Sequence, residues 1–226
     1  MSNSIDLDHL IAQLVQATAQ LLECAQEELR QIRWQDGEAN TDSGYSELAC
    51  TKFCQAFEKL RNQHPEIQLV ECKNPDISFT IRSNSETRTS KVELKSCKAN
   101  PDDPAVIPGS TIGKLDFNMW VIFCRRSLDN QTFEFRYGRY FRGIFDSPTE
   151  LFQDRTPRPR MSWDGYQRVN EPPNLEKLDE ASGWIKKYAE AAINRISGEY
   201  PVNYSWQDDL VKEIIKIARE KGITGE

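Results

Sequence analysis

Histidine is nearly absent from this sequence: His9 and His64 are the only two in 226 residues. Neither stands at ligand spacing from another donor, which excludes a histidine-based zinc centre. The six cysteines (24, 50, 54, 72, 97 and 124) include no CxxC pair. A chain of this length and apolar content needs no disulfides to fold. Cys50 and Cys54 share a helix face, yet the cysteines are expected to be reduced, mostly buried thiols with no zinc or iron–sulfur role. Long apolar runs are missing too; the longest, such as residues 119–124, fall far short of the roughly 20 residues of a membrane helix. No basic region followed by an apolar stretch opens the chain, so the expectation is a cytoplasmic protein without a membrane partner.

Positive charge is also scarce, with a net charge of −6. Its distribution is uneven. Residues 82–168 carry 15 Lys/Arg against 11 Asp/Glu, whereas the rest carries 14 against 24. A polyanionic partner is therefore expected to meet the middle of the chain.

Apolar residues from Leu7 to Ile32 recur at helical spacing, which predicts a long amphipathic helix over residues 5–34, broken at most once. A second helix, capped by Ser43 or Ser46, is predicted to run to about Asn62. After His64 and Pro65 the period changes to that of strands. Residues 67–72 form a short one. Residues 76–82 alternate, with Asp76, Ser78, Thr80 and Arg82 opposite Ile77, Phe79 and Ile81. Residues 90–97 alternate again, with Val92 and Leu94 opposite Lys91, Glu93, Lys95 and Cys97. Residues 98–114 read as a loop, 117–124 as a central strand covered on both faces, and 132–140 as its partner across a turn at 127–130. Residues 155–174 read as irregular, and two helices, about 175–196 and 205–221, follow. The expected fold is α/β, a mixed central sheet with helices on both faces and helical N- and C-terminal segments, in a single domain of 1–226: a helical part to 64, a sheet to 145, then an arginine-rich loop and helices.

Asp76, Glu93 and Lys95 carry the chemistry. Phosphodiester hydrolysis needs a hard cation to neutralise charge on the phosphate, and an attacking water. Two carboxylates on neighbouring strands can hold such a cation. A lysine two residues beyond the second one projects from the same strand face, about 7 Å along, where it acts on the water or the transition state. Asp76 must pair opposite or diagonal to Glu93 and Lys95 for this; a one-residue slip aims it into the core, and the turn length admits both registers.

Asn74-Pro75-Asp76 followed by Glu93-Leu94-Lys95 resembles the PD-(D/E)XK nuclease superfamily, particularly type II restriction endonucleases. The likeness covers the organisation of residues 44–140. It implies a restriction-endonuclease-like fold and a Mg2+ ion held by Asp76, Glu93 and the carbonyl of Leu94, with Glu47 on the preceding helix as an assisting acid. A helix N-terminal carboxylate favoured by the dipole explains Glu47 equally well. The implied activity is sequence-specific double-strand cleavage of DNA, leaving 5′-phosphate and 3′-hydroxyl ends, by a homodimer joined through the N-terminal helix or the last two helices. A structure-directed nuclease of the same superfamily, or an inactive DNA-binding module on the same fold, is the alternative.

All nine basic residues from Arg125 to Arg168 are arginines, interleaved with aromatics. Arginine's planar fork reads guanine and clamps phosphate. Arg136, Arg139, Arg155, Arg158 and Arg160 are therefore candidate DNA contacts, the last three on a stiff loop. Ser110, Thr111 and Lys114 are candidates for backbone phosphates.

Overall fold

Asp6 starts the first helix: its carboxylate accepts the backbone N–H groups of Asp8 and His9 at 3.0 and 3.2 Å, satisfying two of the donors a helix leaves open. The computed structural model describes residues 6–34, 43–73, 76–84, 86–100, 102, 105–110, 118–145, 152–153, 156–175 and 205–220. The predicted N-terminal helix is α1 (Leu7–Glu23) and α2 (Gln26–Arg30), with the break at Cys24 and Ala25. The next, α3, spans Ser43–Gln63.

Six strands form the main sheet: β1 (Gln68–Lys73), β2 (Ile77–Arg82), β3 (Thr87–Lys98), β5 (Trp120–Arg126), β6 (Phe133–Arg139) and β9 (Gln167–Arg168), hydrogen-bonded in the order β1-β2-β3-β5-β6-β9. Only β3 and β5 run parallel; every other pairing is antiparallel, so the sheet is mixed and mostly antiparallel. The β5–β6 turn closes at Asn130, whose φ of 55° lies in the left-handed region that asparagine tolerates.

One face of the sheet carries Ile77, Phe79, Ile81, Val92, Trp120, Ile122, Phe135 and Tyr137, packed under α1 and α3 in the main core. Phe53 of α3 meets Phe79 with ring centroids 4.8 Å apart. The apolar stripe of α1 is spent in this core, with Leu7, Leu10, Leu14, Val15 and Leu22 all buried.

The opposite face differs from expectation. Among the described residues it is covered by a second, three-stranded sheet and short turns rather than by long helices. β4 (Val106–Pro108), β8 (Thr156–Ser162) and β7 (Phe152–Gln153) pair in the order β4-β8-β7. They are followed by a 3-10 turn (Trp163–Gly165), and α4 (Arg142–Phe145) precedes β7. Two segments read as loops are therefore partly strand. The prolines at 157 and 159 signalled irregularity, but among the described residues β4 pairs only with Arg160–Ser162, so Pro159 meets a strand neighbour, Phe152, on one side alone. Trp163 stands edge-on to Phe123 of β5 at 5.3 Å and joins this layer to the main sheet.

The chain divides into two compact units, Met1–Asp179 and Glu180–Glu226. The second is described through α5 (Ser205–Glu220), close to the predicted 205–221. The predicted helix at 175–196 lies outside the described residues, apart from Leu175, which is not helical. No helix among the described residues is long and apolar enough to cross a membrane.

Candidate active site

The turn between β2 and β3 decides whether the candidate residues meet. Ser83 donates its N–H to the Glu86 carbonyl at 2.8 Å, and the Ser83 hydroxyl accepts the Glu86 N–H at 3.2 Å. This closure sets Ile77 opposite Val92 and Ser78 opposite Lys91. On the outward face, the hydroxyls of Thr80 and Thr89 are 2.9 Å apart. Of the two registers the turn length admits, this one puts Asp76 and Glu93 together on the face away from α1 and α3.

Their carboxylates are joined by a lysine that the sequence reading left without a role. Lys91 Nζ lies 3.1 Å from Asp76 Oδ2 and 2.9 Å from Glu93 Oε2. One ammonium nitrogen thus bridges both carboxylates, across a gap the width of a single cation. Lys95 Nζ donates to the other Glu93 oxygen, Oε1, at 2.7 Å. Asp76 Oδ1 accepts the backbone N–H of Leu94 at 3.4 Å. In a strand, a residue's N–H and C=O leave by the same edge, so the Leu94 carbonyl is turned toward Asp76 as well. The residue before Asp76 is proline, which has no N–H to claim that carbonyl.

Glu93 is buried, only 5% exposed, because the second sheet lies over it. Ser110, just past β4, donates its hydroxyl to Glu93 Oε1 at 2.5 Å. Its own N–H donates to the Tyr140 hydroxyl at 2.6 Å, and the Tyr166 hydroxyl donates to the Tyr140 carbonyl at 2.8 Å. Ser110 was assigned to DNA backbone. The structure turns it inward as a positioning residue for Glu93, and with Tyr140 and Tyr166 it forms a chain that no sequence pattern announced. Glu93 Oε2 has the Lys91 ion pair but no aligned hydrogen bond, leaving lone-pair capacity facing Asp76.

Burial alone would raise the Glu93 carboxyl. The Lys95 ammonium, the hydrogen bonds from Lys95 and Ser110 and the contact with Lys91 outweigh it and hold the group down at about 2, against an ordinary 4.5. Desolvation likewise opposes the Lys91 charge, but Glu93 and then Asp76 raise its pKa overall. Glu93 is thus ionised across the physiological range. Two carboxylates and a backbone carbonyl are a hard oxygen set that fits magnesium.

Glu47 does not join this group. It is exposed on α3, which packs against the other face of the sheet, and it lines a groove with Cys50, Cys54 and Glu58. Arg139 is buried, with its guanidinium 4.3 Å from the Trp120 ring centroid and a hydrogen bond to the Asn118 carbonyl. Arg136 lies 4.9 Å over Trp163, donates to the Trp163 carbonyl and pairs with Asp164 at 3.0 Å. Of these two arginines, assigned to DNA from sequence, Arg136 ties the 3-10 turn to the main sheet through stacking and ion pairing, and Arg139 stacks within the main sheet. Arg160 is half-buried on β8 opposite Pro108, two residues from Ser110. Arg158 lies on β8, and its side chain is outside the description; Thr111, Lys114 and Arg155 lie outside the described residues altogether.

No protein-family model, no curated protein and no solved structure matches this chain.

Proposed function

We propose that this protein is a magnesium-dependent DNA endonuclease of the PD-(D/E)XK type on a restriction-endonuclease-like fold, and that it cuts both strands at a specific sequence as a type II restriction enzyme. The observation that carries the reading is the convergence of Asp76 and Glu93, from adjacent strands, on one cation-sized gap with Lys95 beside it. Asp76, Glu93 and the Leu94 carbonyl would hold the ion. Magnesium would neutralise charge on the scissile phosphate and acidify a water. Lys95, anchored on Glu93, places a second positive charge at the reacting phosphate. Ser110 keeps Glu93 aimed, and the second sheet excludes water from its inner oxygen. The partner is double-stranded DNA, approached through the positive middle of the chain, by a homodimer presenting one site to each strand.

The bridging of both carboxylates by Lys91 favours a second reading, a DNA-binding module whose metal site is permanently filled by its own lysine. Metal dependence separates the two. Supercoiled plasmid is expected to be cut in Mg2+ or Mn2+, to survive in EDTA, and to be bound but not cut in Ca2+, which is larger and a weaker acid toward water. The ends should carry 5′-phosphates. Full cleavage in EDTA contradicts the mechanism. Binding without cleavage in any metal supports the module.

A further inference from the structure

Three sulfurs meet where the proposed nuclease chemistry has no use for them. Cys50 and Cys54 stand one helical turn apart on α3, and Cys72 faces them from β1. Their Sγ atoms all lie within 4.8 Å of one another, with Cys50 and Cys72 at 3.6 Å. Zinc–sulfur bonds of about 2.3 Å in a tetrahedral set hold the sulfurs about 3.8 Å apart. The three are therefore within side-chain adjustment of metal-bound spacing. A disulfide would use two and strand the third, and an iron–sulfur cluster takes four protein ligands. Three converging thiols are the donor set of a soft divalent ion with one position left over. Cys54 is exposed and opens on the groove that Glu47 and Glu58 also line. Glu58 is engaged by Arg61 at 2.6 Å, which leaves water or the Glu47 carboxylate to complete the set.

We propose that Cys50, Cys54 and Cys72 bind one thiophilic divalent ion of the zinc class, which clamps α3 to the edge strand. Among the described residues β1 is outermost in the sheet and hydrogen-bonded on one side only, by β2. Cys72 is opposite Phe79, whose ring packs against α3, so this site is on the face of the sheet away from Asp76 and Glu93. Cys72 precedes Asp76 by four residues. The ion thus secures the strand that leads into the carboxylate site. Binding exchanges the thiol protons for one ion and releases them to solvent.

The test uses the full chain, reduced and stripped of metal, titrated with Co2+ and then Zn2+. One equivalent of cobalt should produce a thiolate-to-cobalt charge-transfer band, which zinc should bleach by displacement. Only sulfur ligands give that band, so cobalt at Asp76 and Glu93 does not mimic it, and Asp76→Asn should leave it intact. Cys50→Ser, Cys54→Ser and Cys72→Ser should each weaken cobalt binding at least tenfold, whereas Cys24→Ser and Cys97→Ser should not. On the wild type alone, zinc should protect Cys50, Cys54 and Cys72 from alkylation, as mapped by mass spectrometry; this measurement decides the matter if a serine variant does not fold. Absence of the band, an unchanged band in Cys72→Ser, or no zinc protection of these three thiols overturns the proposal. So does a Cys50–Cys72 disulfide in protein that gives no cobalt band after reduction.

Discussion

Lys91 occupies the gap in which the proposed metal ion would sit, so its removal tests the site from an unusual direction. With one ammonium bridging both carboxylates, an incoming cation must displace that ammonium before it can bind. Lys91→Ala is therefore expected to tighten Mg2+ binding by about tenfold, equivalent to about 1.4 kcal/mol, as read by titration calorimetry. Weaker binding in the variant would mean that Lys91 positions the carboxylates rather than competing for them. Glu93 gives a second prediction, through pH. Its carboxyl is held at about 2 in the folded protein against an ordinary 4.5. A depressed carboxylate stabilises the fold fully above its unfolded value and loses that contribution as pH falls through its folded one. The stability gap between metal-free wild type and Glu93→Gln should be complete above pH 4.5 and should close between 4.5 and 2. Urea unfolding at pH 6 and pH 3 measures it, and a gap that is unchanged at pH 3 contradicts the ion-pair account. Asp76, less buried and ion-paired with Lys91 alone among the described residues, should cost under about 1 kcal/mol when changed to Asn.

The β2–β3 hairpin was legible in the sequence because both strands alternate cleanly, and period-2 alternation survives any detail of packing. Alternation states which residues share a face; the register came only with the Ser83–Glu86 closure. Burial of Glu93 was not legible, because the layer over it is built from β4 and β8, whose prolines and arginines read as loop. Ser110 lies at the end of β4 in that layer, and Tyr140, just past β6, meets it only through their hydrogen bond, which is why their roles were missed. The same holds for Cys72, whose approach to Cys50 depends on how β1 lies against α3. A third prediction belongs to the layer itself. A Cβ on Gly165 would fall 2.6 Å from Gly143 Cα and 2.8 Å from the Arg142 carbonyl oxygen. Both are backbone atoms of the α4 turn and cannot swing aside. Gly165→Ala should destabilise the protein by about 1–3 kcal/mol and, by shifting Tyr166 and Tyr140, lower cleavage in the folded fraction. Wild-type stability in this variant would show that the contact between the 3-10 turn and α4 is loose.

For the molecule as a whole, the positive stretch of the sequence includes the strands that carry the candidate site, but its arginines are in part engaged within the fold. Arg136 and Arg139 lie in the positive stretch, but they are engaged by Trp163, Asp164 and Trp120, so their loss should harm folding rather than reading. A guanidinium that forks onto guanine should cost about 1–3 kcal/mol on cognate DNA and much less on random DNA when removed. Arg160, beside the site on β8, is the described arginine placed for that role. Arg160→Ala should lose cognate affinity in Ca2+, where cutting is silent; equal loss on random DNA would assign it to phosphate instead. The central claim, however, is that Asp76, Glu93 and Lys95 form one catalytic centre. Its most direct test is cleavage of supercoiled plasmid in Mg2+ by the wild type alongside Asp76→Asn, whose fold should be little changed. The account predicts linear product from the wild type and none from the variant; cleavage by both at similar rates, or by neither while DNA is still bound, contradicts it.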